Sequence, residues 1–319
     1  MNVVLSFDIE VWCNGWERLD ETFPRHFERY VYGRSRHGEF ALPATLEILR
    51  RHGLTGVFFV EPLFSARFGA AYLRQIVSMI AADGHEVQLH IHPEWIDEIE
   101  PPVIPDNAVK RQHLSHYDLD EQTAIIARGK QLLLDAGARP ATAFRAGNYA
   151  ANRDSFEALR RNGIFVDSSM NACFEISGAD LREDYPMAAP FTVAGVTSRP
   201  VAVFRDGFGR LRPAQVAACG FEELRDAIEA ARRAGAIDFV IVSHNFELLK
   251  PGSSEPDWVV VRRFDRLCEH LAASRDVLTI GGYAADAPQP AATRAIGTPV
   301  VGLLPTVKRH VEQLRRRLA

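Results

Sequence analysis

The chain is short of four things, and each shortage removes a class of protein. It has only four cysteines in 319 residues, Cys13, Cys173, Cys219 and Cys268. No two of them have zinc-finger or redox spacing, so they read as small buried hydrophobes and no disulfide framework is expected. That fits a reducing compartment. No apolar stretch approaches the ~20 residues needed to span a bilayer. The opening run, Val3 to Phe7, is too short for a signal-peptide core and meets acids at once, so a cytoplasmic location is expected. Excess positive charge is also missing. The formal net charge is −4 and the one dense basic run lies at the C-terminus, which excludes a general nucleic-acid partner. Finally, there is no Rossmann glycine fingerprint after any predicted strand.

What is present is an ordinary globular composition, 47% hydrophobic and 24% charged, organised as strands alternating with helices. Strands are expected at 3–7, 56–60, 86–91, 142–145, 164–167, 239–243 and 277–280. Helices are expected at 43–52, 71–82, 120–135, 154–161, 221–234 and 259–273, with Asp118 or Asp120 capping the third. Such βα repetition argues a parallel sheet covered by helices, closing into an α/β barrel that is incomplete or distorted. Residues 171–218 are irregular and read as an inserted hairpin or loops. The catalytic domain is assigned to 1–283, a Pro/Ala-rich linker to 284–299 and a basic amphipathic helix to 300–319.

Barrel enzymes carry reactive groups at the C-terminal ends of their strands. Here those ends hold Asp8 and Glu10; His90 and His92, with Glu94 just beyond; Arg145, followed by Asn148 and Tyr149; Asp167; and His244. Residues two apart on a strand point the same way, so Asp8 and Glu10 share a face, as do His90 and His92. Two imidazoles with one or two carboxylates form the ligand set of a catalytic zinc or related divalent ion. His85 precedes its strand and reads as structural.

The segments Leu5-Ser6-Phe7-Asp8-Ile9-Glu10, Gly84-His85-Glu86-Val87-Gln88-Leu89-His90, Phe144-Arg145-Ala146-Gly147-Asn148-Tyr149, Asp167-Ser168-Ser169 and Val242-Ser243-His244 occur in the order of a known motif set. In this the chain resembles the polysaccharide deacetylase (NodB-homology, carbohydrate esterase) family over about residues 1–283. The resemblance implies a distorted (β/α)7 barrel, a divalent metal, often zinc, and deacylation of an amino sugar such as an N-acetylglucosamine unit. It departs from the family in three places. The usual first motif is F-D-D-G, with a base and then a metal ligand; here Ile9 fills the ligand position, and Glu10 fits the D-x-D variant. The usual second motif is H-[ST]-x-x-H; His90 matches its first His, Glu94 stands at its second, and His92 is the nearest imidazole. The usual R-x-P-Y reads Arg145-Ala146-Gly147-Asn148, with Tyr149 one place late.

The resemblance therefore implies Glu10, His90 and His92 as metal ligands, with Glu94 competing for the third place. Asp8 is the implied base, Arg145 the group that keeps it ionised and oriented, His244 the acid and Asp167 the residue that tunes His244. Asn148 and Tyr149 are expected near an oxyanion site, and Trp12 and Trp95 to stack on a sugar ring. Two other readings stay open: hydrolysis of a linear or cyclic amide on the same barrel, including deformylation, and a metal-free carbohydrate-binding relative. The expected partner is an amino-sugar substrate, nucleotide- or lipid-linked if the location is cytoplasmic; an oligomer is also compatible. In the C-terminal helix, Val307, Val311, Leu314 and Leu318 form one stripe among Lys308, Arg309, Arg315, Arg316 and Arg317. That pattern suits either peripheral contact with an anionic membrane or packing of the stripe on the barrel or a second subunit.

Overall fold

The computed structural model describes residues 1–105, 107–175, 179–283 and 297–318. The chain divides into two compact units, one of residues 1–56, 202–281 and 296–319, the other of 57–201 and 282–295. Most of the expected linker, 284–296, lies outside the described residues.

In the first unit the strand Asn2–Ile9 is flanked in parallel by Asp238–His244 and Thr279–Ile280. The register runs from Asn2 opposite Asp238 to Asp8 opposite His244. Val3, Val4, Leu5, Phe7 and Ile9 are all buried, the near-continuous apolar run of a strand covered on both faces. Helices Leu42–Arg51, Phe221–Arg233 and Trp258–Ala273 belong to the same unit. A further helix, Leu19–Phe27, runs into a π-helical turn at Glu28–Tyr32 that ends on Gly33 in the left-handed region. No helix is expected there from the sequence: Pro24 sits inside it and charges surround it. Its buried residues Leu19, Phe23, Phe27 and Val31 nevertheless recur every four, and that spacing makes one apolar face.

In the second unit the strands Val57–Val60, Glu86–Ile91, Ala143–Ala146, Val166–Asp167 and Val196–Ser198 lie side by side in parallel. His90 is opposite Arg145, and Phe144 is opposite Asp167. Helices Ala70–Ala82, Leu119–Asp135 and Arg153–Arg161 connect them. Asp118 caps the second through a capping box with Glu121, which satisfies donors at the helix start. Phe191–Val193 returns antiparallel to Val196–Ser198 around Ala194 and Gly195, both at positive φ. That hairpin, with a second one of Val203–Arg205 and Leu211–Pro213 in the first unit, accounts for much of the irregular region 171–218.

The C-terminal helix, Leu303–Leu318, docks by its polar side. Buried Arg309 pairs with Asp206 at 3.2 Å and Glu223 at 2.8 Å, both fully buried. Arg316 pairs with Asp257, the carboxylate that also caps Trp258–Ala273, and Glu312 pairs with Arg263. The apolar row is on the other side: Val307, Val311 and Leu314 are exposed, with Leu303 and Leu304 extending it. Of the readings open for this stripe, packing on the barrel does not hold for Val307, Val311 and Leu314, because the residues that dock are the charged ones; the side chain of Leu318 lies outside the described residues. All four cysteines are free. Among the described residues, no helix is long and apolar enough to cross a membrane.

Removing Arg309 would leave two buried carboxylates without their cation, a loss that typically costs about 3–5 kcal/mol. Urea unfolding of Arg309→Ala should show a loss of that order. A loss below about 1 kcal/mol would mean that the helix is held by something other than these pairs.

Candidate functional site

In the first unit, alternation along Asn2–Ile9 sends Ile9 into the core and turns Asp8 and Glu10 the other way. Ile9 is fully buried, so it offers nothing at the position where the usual motif carries a ligand. Asp8 Oδ2 lies 4.0 Å from His244 Nε2, as their register predicts. Ligand atoms of Asp8, Glu10 and His244 fall within 4.8 Å of one another. Asn245 clamps the main chain of Glu10: its Oδ1 accepts from Glu10 N–H at 3.1 Å and its Nδ2 donates to Glu10 C=O at 3.1 Å. The two bonds fix the end of the strand after its ladder has finished. Trp12, 41% exposed, donates from Nε1 to Glu10 Oε2 at 2.6 Å, so it orients a carboxylate as well as presenting a ring.

His244 is held by an acid that its motif does not contain. Its Nδ1 meets Glu247 Oε1 at 2.8 Å. Glu247 is buried and also accepts from Ser243 Oγ, Gln215 Nε2 and the Ala217 N–H. Burial by itself would lower the imidazole pKa. The hydrogen bond to Glu247 and the charges of Glu10, Glu247 and Asp8 outweigh it and push the value up to about 9. Asp167, expected to tune His244, is engaged elsewhere. Its carboxylate accepts from Ser169 Oγ and N–H and from Ser198 Oγ. Burial raises its pKa to about 6 against those bonds. The orienting acid of His244 is Glu247, three residues downstream.

In the second unit, His90 Nδ1 lies 2.7 Å from the carbonyl of Arg145. A carbonyl only accepts, so Nδ1 carries the proton and the lone pair is on Nε2. His92 stands edge-on to His90, ring centroids 4.9 Å apart, with its Nδ1 3.3 Å from Glu94 Oε2. Glu94 thus sits behind His92, as carboxylates commonly sit behind ligating imidazoles. The ring of His92 also presses on Gly147: a β-carbon there would fall 2.7 Å from Nδ1. Arg145 is fully buried, donates to Ser168 O and Oγ at 3.0 and 2.9 Å, and lies over the Phe59 ring.

Asn148 and Tyr149 follow, both at positive φ, a conformation that costs energy in residues other than glycine. The side-chain Nδ2 of Asn148 is buried without a hydrogen-bond partner. Tyr149 stacks near Phe174, ring centroids 5.2 Å apart, on a cavity of about 290 Å³. Trp95 is buried with its edge to Phe64 and Phe68, so it packs its loop and has no face left for a sugar. His85, also buried, packs beside the Phe58 ring.

No family model and no curated protein sequence matches the chain. Among solved structures it is similar to a Mycobacterium smegmatis protein named as a candidate polysaccharide deacetylase. Identity is 18%, coverage 93% of this chain and 94% of that one, and the TM-score 0.60. It is also similar to the 4-alpha-glucanotransferase of Thermococcus litoralis, at 12% identity over 89% of this chain and 39% of that one, TM-score 0.50. A family 4 carbohydrate esterase from Streptomyces lividans matches at 14% identity over 93% and 97%, TM-score 0.46. The first likeness, spanning nearly all of both chains, shows the fold: an α/β chain of the distorted-barrel class implied by the motifs. A glucanotransferase with a related fold shows why activity has to be argued from the site.

The hold of Glu247 on His244 has a measurable sign. In metal-free protein the imidazole pKa, about 9, stands above the unfolded value of ~6.5. This group's contribution to stability is therefore fully present below ~6.5 and lost as pH rises through about 9. Titration of the His244 ring protons by NMR should give a midpoint near 9, falling in Glu247→Gln. A midpoint that does not move on that substitution would remove Glu247 from this role.

Proposed function

We propose that the chain is a metal-dependent N-deacylase acting on an amino sugar, a hydrolase of the polysaccharide deacetylase type. The observation that carries the proposal is the pairing of Asp8 with His244 at 4.0 Å, a carboxylate facing an imidazole that its acidic neighbours keep protonated at neutral pH against the opposing effect of burial. Amide hydrolysis needs that pair: one group to take a proton from water, one to give a proton to the departing nitrogen.

We assign Glu10, His90 and His92 to hold a divalent cation, with zinc the ion best suited to two imidazoles and a carboxylate. The donor chemistry fits. His90 Nδ1 is committed to a carbonyl and His92 Nδ1 faces Glu94, so each imidazole keeps Nε2 for a metal. On this reading Glu94 supports His92 and does not replace it. A cation held there would supply polarisation of the acyl carbonyl and acidification of water, worth several kcal/mol in the transition state. Asp8 accepts the proton of the attacking water as its oxygen bonds to the acyl carbon. Buried Arg145 is the cation assigned to orient Asp8. We assign Asn148, whose Nδ2 is without a hydrogen-bond partner, and the main chain at Tyr149 to the developing oxyanion. When the C–N bond breaks, His244 passes its Nε2 proton to the amine, while Glu247 on Nδ1 holds the ring.

We extend the reading to a nucleotide- or lipid-linked substrate and, for the lipid case, to the C-terminal helix. Its exposed Val307, Val311 and Leu314, beside exposed Lys308 and Arg315, have the makeup of a helix that lies on an anionic membrane. The triple change of those three apolar residues to Gln should abolish flotation with anionic vesicles while leaving the Arg309 docking intact. Equal flotation of both proteins would end this part.

The core proposal is tested on N-acetyl amino sugars against formamides and cyclic amides. Asp8→Asn should retain the metal and lose ~10²–10⁴ in turnover. His90→Ala should lose metal and activity together. Gly147→Ala, which drives a methyl into the His92 ring, should weaken metal binding by ~10–100-fold, as loss of imidazole orientation does elsewhere. Full metal occupancy in His90→Ala, or turnover confined to small amides, would overturn the assignment.

A further inference from the structure

Glu247 is a wall as well as a support. Beside it the first unit holds a cavity of about 460 Å³ lined by Trp12, Arg29, Tyr30, Phe246, Glu247 and Lys250 among others. It adjoins the acid–base pair through packed rings. Phe246 stacks on His244 with centroids 5.3 Å apart, and Tyr30 meets Phe246 edge-on at 5.3 Å. Trp12, on the same cavity, is bonded to Glu10.

Basic side chains outnumber acids on the lining of this cavity. Arg29, Lys250 and Arg316 line it against a single acid, Glu247. The carboxylate of Glu247 is already occupied by His244, Ser243, Gln215 and the Ala217 N–H. Arg316 is neutralised by Asp257. Arg29 lies over the Tyr30 ring at 5.2 Å, and its Nε is buried with no hydrogen-bond partner. The guanidinium itself is half-buried on the cavity wall, and an anionic oxygen is the partner a guanidinium takes best. Three aromatic rings around the same space suit the apolar face of a sugar.

We infer that this cavity selects an anionic amino sugar, one carrying a phosphoryl or carboxylate group, with that group on Arg29 and the sugar face on the aromatic wall. The inference rests on the N-deacylase reading and specifies its substrate class. A charge-assisted hydrogen bond of this kind corresponds to about tenfold or more in affinity.

The test measures binding of N-acetylglucosamine, its 1-phosphate and N-acetylmuramic acid to the full chain by calorimetry, at low and high salt. At least one anionic sugar should bind about tenfold more tightly than the neutral one at low salt, with the margin shrinking as salt rises. Which of the two it is separates phosphate from carboxylate. Arg29→Gln should collapse the margin and Arg29→Lys should restore part of it, with unfolding midpoints confirming that both variants are folded. Equal affinities, no binding of either anionic sugar, or a margin that survives Arg29→Gln would each overturn the inference. Deacylation is followed in parallel. Asp8-dependent turnover without an anionic margin sinks the pocket and leaves the activity. An Arg29-dependent margin without turnover does the reverse.

Discussion

The register between Asn2–Ile9 and Asp238–His244 is the constraint on which the chemistry depends. Parallel pairing from Asn2 opposite Asp238 delivers Asp8 opposite His244. Because side chains alternate along a strand, a shift of one residue would turn Asp8 and Glu10 into the core and bring Ile9 out. Val3, Leu5, Phe7 and Ile9 form one wholly apolar face while the other carries Ser6, Asp8 and Glu10, so such a slip would exchange an apolar face for a polar one. On the proposed reading, catalytic geometry here is a by-product of core packing. The unit's hydrophobic side sets the register, and the register sets the separation of acid and base.

What surrounds His244 is arranged to keep it charged. A histidine buried among hydrophobes becomes neutral, and the burial of His244 does push that way. Glu247, with the charges of Glu10 and Asp8, reverses the outcome, and Ser243, Gln215 and the Ala217 N–H hold the Glu247 carboxylate in place. Those donors make the acid affordable inside the protein, where an unpaired carboxylate would be costly. The same logic explains the C-terminal helix. Arg309 is buried because Asp206 and Glu223 wait for it, so charge docks the helix and its apolar row is left outside.

The sequence was legible wherever periodicity and strand-end position carried the information. The helix expected at 120–135 is found at Leu119–Asp135, and the strand expected at 86–91 is found at Glu86–Ile91. Strand ends pointed to Asp8, Glu10 and His244, which the fold brings together, but not to the acid that holds His244. Glu247 lies three residues past its strand, in a turn where no period exists, and only the folded turn brings it back to Nδ1 of His244. Asp167 is its mirror image: its position matched a motif, but local serines already satisfy it. Trp95 shows the limit of proximity in sequence, since three residues beyond His92 it is buried against Phe64 and Phe68. Helix Leu19–Phe27 escaped because Pro24 and its charged neighbours mask a four-residue apolar spacing.

The departures from the usual motifs also make sense together. Placing an imidazole at His92, two residues after His90, puts its ring over the strand end at Ala146–Gly147, where the usual motif has proline in third position. A proline ring or even a methyl group at 147 would occupy the space His92 uses, because a β-carbon there comes within 2.8 Å of three ring atoms. Glycine at 147 and histidine at 92 are thus two halves of one change, and Glu94 behind the ring completes it. With glycine in place, the chain passes through Asn148 and Tyr149 at positive φ, and the strain falls on the two residues that follow it. A motif comparison scores these as separate mismatches. Their contacts make them a single, mutually dependent solution for presenting the second imidazole.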